Sequence, residues 1–195
     1  HWAECEFSYV HDGVVDKMKR KLNEFQIFIR YNKAVEIIHK TNTKDIEKLS
    51  SIVSSRNPFG FSSNTRGKSK KFENSISLYT SEGLSYIPKE DVDSKNQYLQ
   101  TYKIMISKVT SEHAGEPDKN GMFKILSRTE LINPFEVCTD SYLIIGSFEK
   151  KDDATSLLKY LKSKFSRFLL LQAVTSINLS RDKFDFIPLQ DFTNK

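Results

Sequence analysis

At Phe148 the spacing of apolar residues changes, and that change limits the folds open to the chain. Upstream lie short alternating or apolar runs: SISLYTS, LSYIP, YKIMISKV, MFKILS and SYLIIGSF. In YKIMISKV, Tyr102, Ile104 and Ile106 share one side of an extended chain, while Lys103, Met105 and Ser107 share the other. Such alternation marks a half-buried strand. SYLIIGSF is apolar almost throughout and suits the centre of a sheet. Downstream of Phe148 the period becomes helical. Leu157, Leu158, Leu161, Phe165, Phe168 and Leu169 line one side of a helix expected from about Lys151 to Ala173. Asp152 and Asp153 stand at its start, and Lys159, Lys162, Lys164 and Arg167 form its solvated side.

Two further helices are expected before the strands. NKAVEIIHK has Asn32 as a cap and Ala34, Val35 and Ile38 as a buried stripe, after a short extended piece around Ile27–Arg30. TKDIEKLSSIVSS has Thr43 as a cap, Asp45 in the first turn, and Ile46, Leu49, Ile52 and Val53 on one face. SINLSRDKFDFIPLQDF closes as a loop, a short strand and a Pro-terminated turn. Together these predict an α+β domain: a mixed or antiparallel sheet, a long packed C-terminal helix, and N-terminal helices. The 195 residues suit a single domain with one core. Residues 1–26 read as a linker remnant or upstream part, because the chain opens on HWAECEFSYV without Met and looks like a piece of a longer protein.

Composition narrows the class. An apolar fraction of 38% and an aromatic fraction of 12% exclude a disordered tract, and 14 Phe predict an aromatic core. A net charge of +5 and a pI near 9.0 agree with a nucleic-acid partner without requiring one. Cys5 and Cys138 lie far apart, and no signal segment or long apolar span is visible. The reading is a cytoplasmic chain with reduced thiols and no membrane partner.

Catalytic motifs are scarce. His1, His11, His39 and His113 have no metal-ligand spacing with each other or with the cysteines. No nucleophile elbow, P-loop or dinucleotide fingerprint is present. One loose pattern, Pro117-Asp118 followed by Glu149-Lys150-Lys151, imitates metal-dependent nucleases. There, two carboxylates hold Mg²⁺ and a lysine helps activate water. It makes an endonuclease using Asp118, Glu149 and Lys151 the alternative function.

The stronger signal is basic. In SRNPFGFSSNTRGKSKK, Arg56, Arg66, Lys68, Lys70 and Lys71 occur with no acid between Glu47 and Glu73. Asn57 and Asn64 are interleaved with them. Arginine pairs hydrogen bonds to guanine or phosphate, asparagine suits adenine edges, and lysine serves phosphate as a point charge. A second polar loop, SINLSRDKF, displays Asn178, Ser180, Arg181 and Lys183. These eleven side chains are the candidate double-stranded DNA contacts.

Three blocks carry a resemblance: SSRNPFGFSSNTRG, VCTDSYLIIGSFEKKDDATSLLKYLKSKFSRFLLLQAVTSINLS and KFDFIPLQDFTN. In this order they resemble the C-terminal part of adenine-specific DNA methyltransferases of bacterial restriction–modification systems. The look-alikes are single-chain type II enzymes with an Eco-fifty-seven-like methylase domain, and the similarity runs from about Ile27 onward. In that family a preceding methylase domain in the same chain binds S-adenosylmethionine through a Gly-rich motif. An Asn/Asp-Pro-Pro-Tyr/Phe motif there holds the flipped adenine. Neither motif occurs here, since RNPFG and INPFE each have a single Pro. The resemblance therefore implies a target-recognition domain with no catalytic residue and no cofactor of its own, which reads the duplex while the methylase domain extrudes the base.

Overall fold

The computed structural model describes residues 4–193 apart from 12, 22, 26, 30, 42, 44, 111–118, 121–122 and 175. The fold is α+β. Its centre is β8 (Tyr142–Phe148), paired antiparallel with β5 (Tyr102–Ser107), which pairs antiparallel with β6 (Thr129–Ile132). Both faces of this sheet are buried. Ile104, Ile106, Leu143 and Ile145 pack into one apolar cluster with α1 (Asn32–Thr41), α2 (Lys151–Lys162) and α3 (Lys164–Ala173). Met105, Ile132, Tyr142 and Ile144 pack into the other, which a second sheet closes. That sheet has the order β4 (Gly83–Pro88), β3 (Ser75–Thr80), β7 (Glu136–Cys138), with an antiparallel hairpin and one parallel pairing. A bulge sets the twist of the central pair: the register shifts between Tyr102 and Ile104, opposite Gly146 at φ +72°. A Cβ at Gly146 would lie 2.4 Å from the Phe148 ring, so glycine is required there.

Several expected elements take another form. Over its described residues TKDIEKLSSIVSS is not a helix. Only Leu49–Ile52 makes a 3₁₀ turn, and the flanking chain joins ladders instead. Leu49 N–H donates to Ile187 O (2.8 Å), and Leu189 N–H donates to Glu47 O (2.8 Å). Val53 bridges Ile145, and Ser54 N–H donates to Ile144 O (2.8 Å). The edge of β8 has buried backbone groups to satisfy, and a helix here would leave them bare. The helix expected from Lys151 to Ala173 breaks at Ser163, which is extended at φ −63°, ψ 155°. Its hydroxyl accepts from Ser166 N–H (3.1 Å) and caps α3. Asn32 begins α1, but its amide donates to Phe7 O (3.4 Å) and Asp16 O (3.1 Å).

MFKILS is not a strand over its described residues; pairing starts at Thr129. The single expected sheet is, among the described residues, three small ones. The third is a hairpin, β1 (Glu4–His11) and β2 (Val14–Lys21), within the stretch expected to be a linker or upstream part. Arg20 pins it. The side chain is buried, donates to Ile29 O (2.7 Å), and lies 5.2 and 5.1 Å from the Phe7 and Phe28 rings. Of the expected C-terminal strand there is an isolated bridge, Pro188 with Lys48, after a 3₁₀ turn at Arg181–Phe184, with Phe184, Phe186 and Ile187 in the first cluster. No helix is long and apolar enough to cross a membrane among the described residues.

Lys103 departs most from its expected place on a polar face. It is fully buried, and its Nζ donates to Thr101 O (3.0 Å) and Asn133 O (2.9 Å). Burial lowers its pKa from 10.5 to about 8, against opposing pulls from Glu136 and Cys138. Between those two pH values the unfolded chain binds the extra proton, so this residue adds stability as pH rises. Urea denaturation of wild type and Lys103→Met at pH 7.5 and pH 10 should show wild type gaining relative to the variant at the higher pH. A constant difference would mean that Lys103 titrates normally.

Candidate nucleic-acid interface

The basic loop leaves the central sheet under firm control. Ser54 is held on β8 from both sides, because its Oγ accepts from Ile144 N–H (3.0 Å). Three residues later the chain turns. Asn57 is left-handed at φ +55°, a conformation that asparagine tolerates better than most residues. Its backbone N–H donates to Asp140 Oδ1 (2.8 Å), and Asp140 N–H donates to Phe61 O (2.8 Å). Pro58 and Phe59 are buried, Phe59 in the second cluster. Arg56 is therefore a projecting side chain on an anchored turn, with 84% of it exposed.

The second predicted loop arrives opposite. Thr110 N–H donates to Ile177 O (2.7 Å), Leu179 N–H donates to Lys108 O (2.6 Å), and Val109 bridges Asn178. Leu179 is a buried plug that fixes the loop's path. Arg181 opens the 3₁₀ turn, with Nε donating to Ser50 O (2.8 Å). Arg56, Lys108, Asn178, Ser180 and Arg181 thus line one cleft of about 790 Å³, with Leu143 and Leu179 beneath. Two loops far apart in sequence supply its facing walls.

The other predicted residues do not line this cleft. Arg66 pairs with Glu82 at 2.5 Å and donates to Ser63 O (2.9 Å). The Lys68 backbone exchanges hydrogen bonds with Tyr86 (2.8 and 2.9 Å), extending the second sheet past β4, and its Nζ lies 4.5 Å from the Phe72 ring centre. Gly67 permits that approach, since a Cβ would lie 2.5 Å from Tyr86 O. Asn64, Lys70 and Lys71 are exposed. Lys183 pairs with Asp182 at 3.1 Å and faces a neighbouring cleft of about 360 Å³ with Lys48 and Asp185.

Sequence reasoning missed Lys108 and Asp140. Lys108 is the last residue but one of YKIMISKV, and Asp140 lies in a turn before β8; neither carries a local signal. They form an ion pair with largely buried side chains, 13% and 23% exposed, while Arg56 lies 3.6 Å from the other Asp140 oxygen. Burial raises the Asp140 carboxyl. Lys108, the Asn57 amide and Arg56 outweigh it and hold the group below the usual carboxylate range. Asp182 behaves alike: burial raises it, and Ser180 and Lys183 bring it below its ordinary value. Two ionised acids thus sit among the cations.

The nuclease pattern falls partly outside the described residues. Asp118 lies outside the described residues, Glu149 is exposed, and Lys151 is the exposed first residue of α2. No group of acids, cysteines or histidines among the described residues could hold a metal ion. Cys5 and Cys138 form no disulfide, and burial pushes the Cys138 thiol up to about 12.

The Asn57 turn has a direct test. Asn57→Val should cost about 1–2 kcal/mol in urea denaturation, because a β-branched residue resists left-handed geometry. Asn57→Gly should stay within a few tenths of wild type. Equal stability of both variants would contradict the turn.

Comparison of the chain with protein-family models, curated proteins and solved structures gives no match.

Proposed function

We propose that this chain is a double-stranded DNA recognition domain that uses the cleft for base contacts and the exposed loop for phosphates. The observation that carries the reading is the meeting of Arg56 with Asn178, Ser180 and Arg181 in one cleft. Arginine and asparagine are the side chains best fitted to paired hydrogen bonds with guanine and adenine edges. Their backbones are tied to the sheet, which keeps the projecting groups in a fixed relation. Lys70 and Lys71 stand exposed beyond the second sheet, and point charges of this kind attract a duplex without reading it.

The resemblance described for the sequence extends the proposal. In it the domain is the target-recognition part of an adenine-specific methyltransferase of a type II restriction–modification system, acting in the cytoplasm. A methylase domain in the same chain would bind S-adenosylmethionine, extrude the adenine and transfer the methyl group. The residues described here would supply grip and sequence preference.

The test is titration against duplexes selected from a random pool and against scrambled controls, at several salt concentrations. Lys70→Ala and Lys71→Ala should weaken every duplex and flatten the log-affinity against log-salt slope by about 0.9 for each lost contact. Arg56→Ala and Arg181→Ala should lose about 1–3 kcal/mol on the selected sequence and far less on the controls. Salt-independent affinities unaffected by all four substitutions would overturn the reading.

A further inference from the structure

We infer that Asp140 is a specificity-determining residue: its carboxylate neutralises the cations of the cleft, so that a phosphate gains little there and a matching base edge gains more. The inference rests on the DNA-recognition reading. Its basis is how each cation is held. Lys108 reaches the cleft but is paired with Asp140 and mostly buried. Arg56 is exposed and stands 3.6 Å from the same carboxylate. Arg181 is fixed through its Nε on Ser50 O, which leaves its terminal nitrogens for a partner. Asp182 and Asp185 share the lining, Asp182 in a pair with Lys183, and of the three lining cations Arg56 and Lys108 both lie against Asp140.

A cleft meant to clamp phosphate would leave its cations unpaired. Here two of the three cations share the Asp140 carboxylate, and Lys108 with Asp140 is shielded enough to resist screening by salt. A phosphate entering would meet the Asp140 charge near Arg56. A base edge carries no net charge and meets fixed donors and acceptors instead. Asp140 also accepts the Asn57 amide, so the group that removes generic attraction holds the turn bearing Arg56. Discrimination arises because the wrong ligand is repelled as well as the right one held.

The decisive variant is Asp140→Asn, which keeps an acceptor for the Asn57 amide and removes the charge. Affinity for scrambled duplexes should rise, by up to about tenfold near 0.1 M salt, and the slope should steepen by about 0.9 for each cation released. The ratio of selected to scrambled affinity should fall. The melting temperature should also fall, because Lys108 loses its partner. Tighter binding by a less stable protein separates this role from a folding defect. Lys108→Met is the second arm, leaving Asp140 uncompensated; it should weaken scrambled duplexes and leave the ratio intact or higher. Unchanged or weaker scrambled binding by Asp140→Asn, or an unchanged Lys108→Met, overturns the inference while salt-dependent binding by wild type keeps the DNA reading. Absence of salt-dependent binding in wild type overturns both.

Discussion

The contact on which the rest depends is the pairing of residues 53–54 with the edge of β8. Ser54 is held twice, donating from its backbone to Ile144 O and accepting at its hydroxyl from Ile144 N–H. That edge lies between two apolar clusters, where an unpaired amide or carbonyl would cost about as much as a lost hydrogen bond. Satisfying it fixes the path of the chain on both sides. Before it, residues 47–49 are drawn against 187–189; after it, the chain emerges at Arg56 beside the Asp140 turn. The cleft therefore follows from the sheet's need for a partner.

The central sheet serves two cores at once, and this explains several choices of residue. β8 is apolar on both faces because Leu143 and Ile145 enter one cluster while Tyr142 and Ile144 enter the other. β5 obeys the same demand except at Lys103, whose ammonium is buried and held by two carbonyls and overlooked at 5.9 Å by the Phe59 ring. A lysine there closes the hydrogen bonding of the Thr101 and Asn133 carbonyls, which an apolar residue would leave to find other partners. Phe59 packs in the same cluster and belongs to the loop that projects Arg56, so the polar loop and the second core are one packed unit.

Much of this was legible in the sequence where local pattern and tertiary demand agree. YKIMISKV and SYLIIGSF alternate or stay apolar, and both are strands of the central sheet. TKDIEKLSSIVSS misleads because its apolar spacing suits a helix in isolation, while the β8 edge offers the same residues more hydrogen bonds. The break at Ser163 is hidden, since the apolar stripe continues across it and a serine is only a weak stop signal. Arg56, Asn178 and Arg181 were visible as residue types in exposed loops. Their adjacency was not, because it depends on the ladder between 108–110 and 177–179. Lys108 and Asp140 were hidden because each is an ordinary strand-end or turn residue until β5 pairs with β8 and Lys108 N–H reaches Ser141 O.

The pairing of residues 47–49 with 187–189 carries a consequence for the order of assembly. The hairpins β1–β2 and β3–β4 close over short loops and can form as soon as their residues exist. One wall of the cleft, Ser54 to Arg56, is synthesised early, but its opposite wall begins only at Asn178. The contact that staples Arg181 to Ser50 spans most of the chain. Contacts this distant are made late, after the entropy of closing the long loop has been met. On a ribosome the cations of the first wall would emerge long before the loop that faces them. The completed cleft would then be the last feature this domain acquires as it folds.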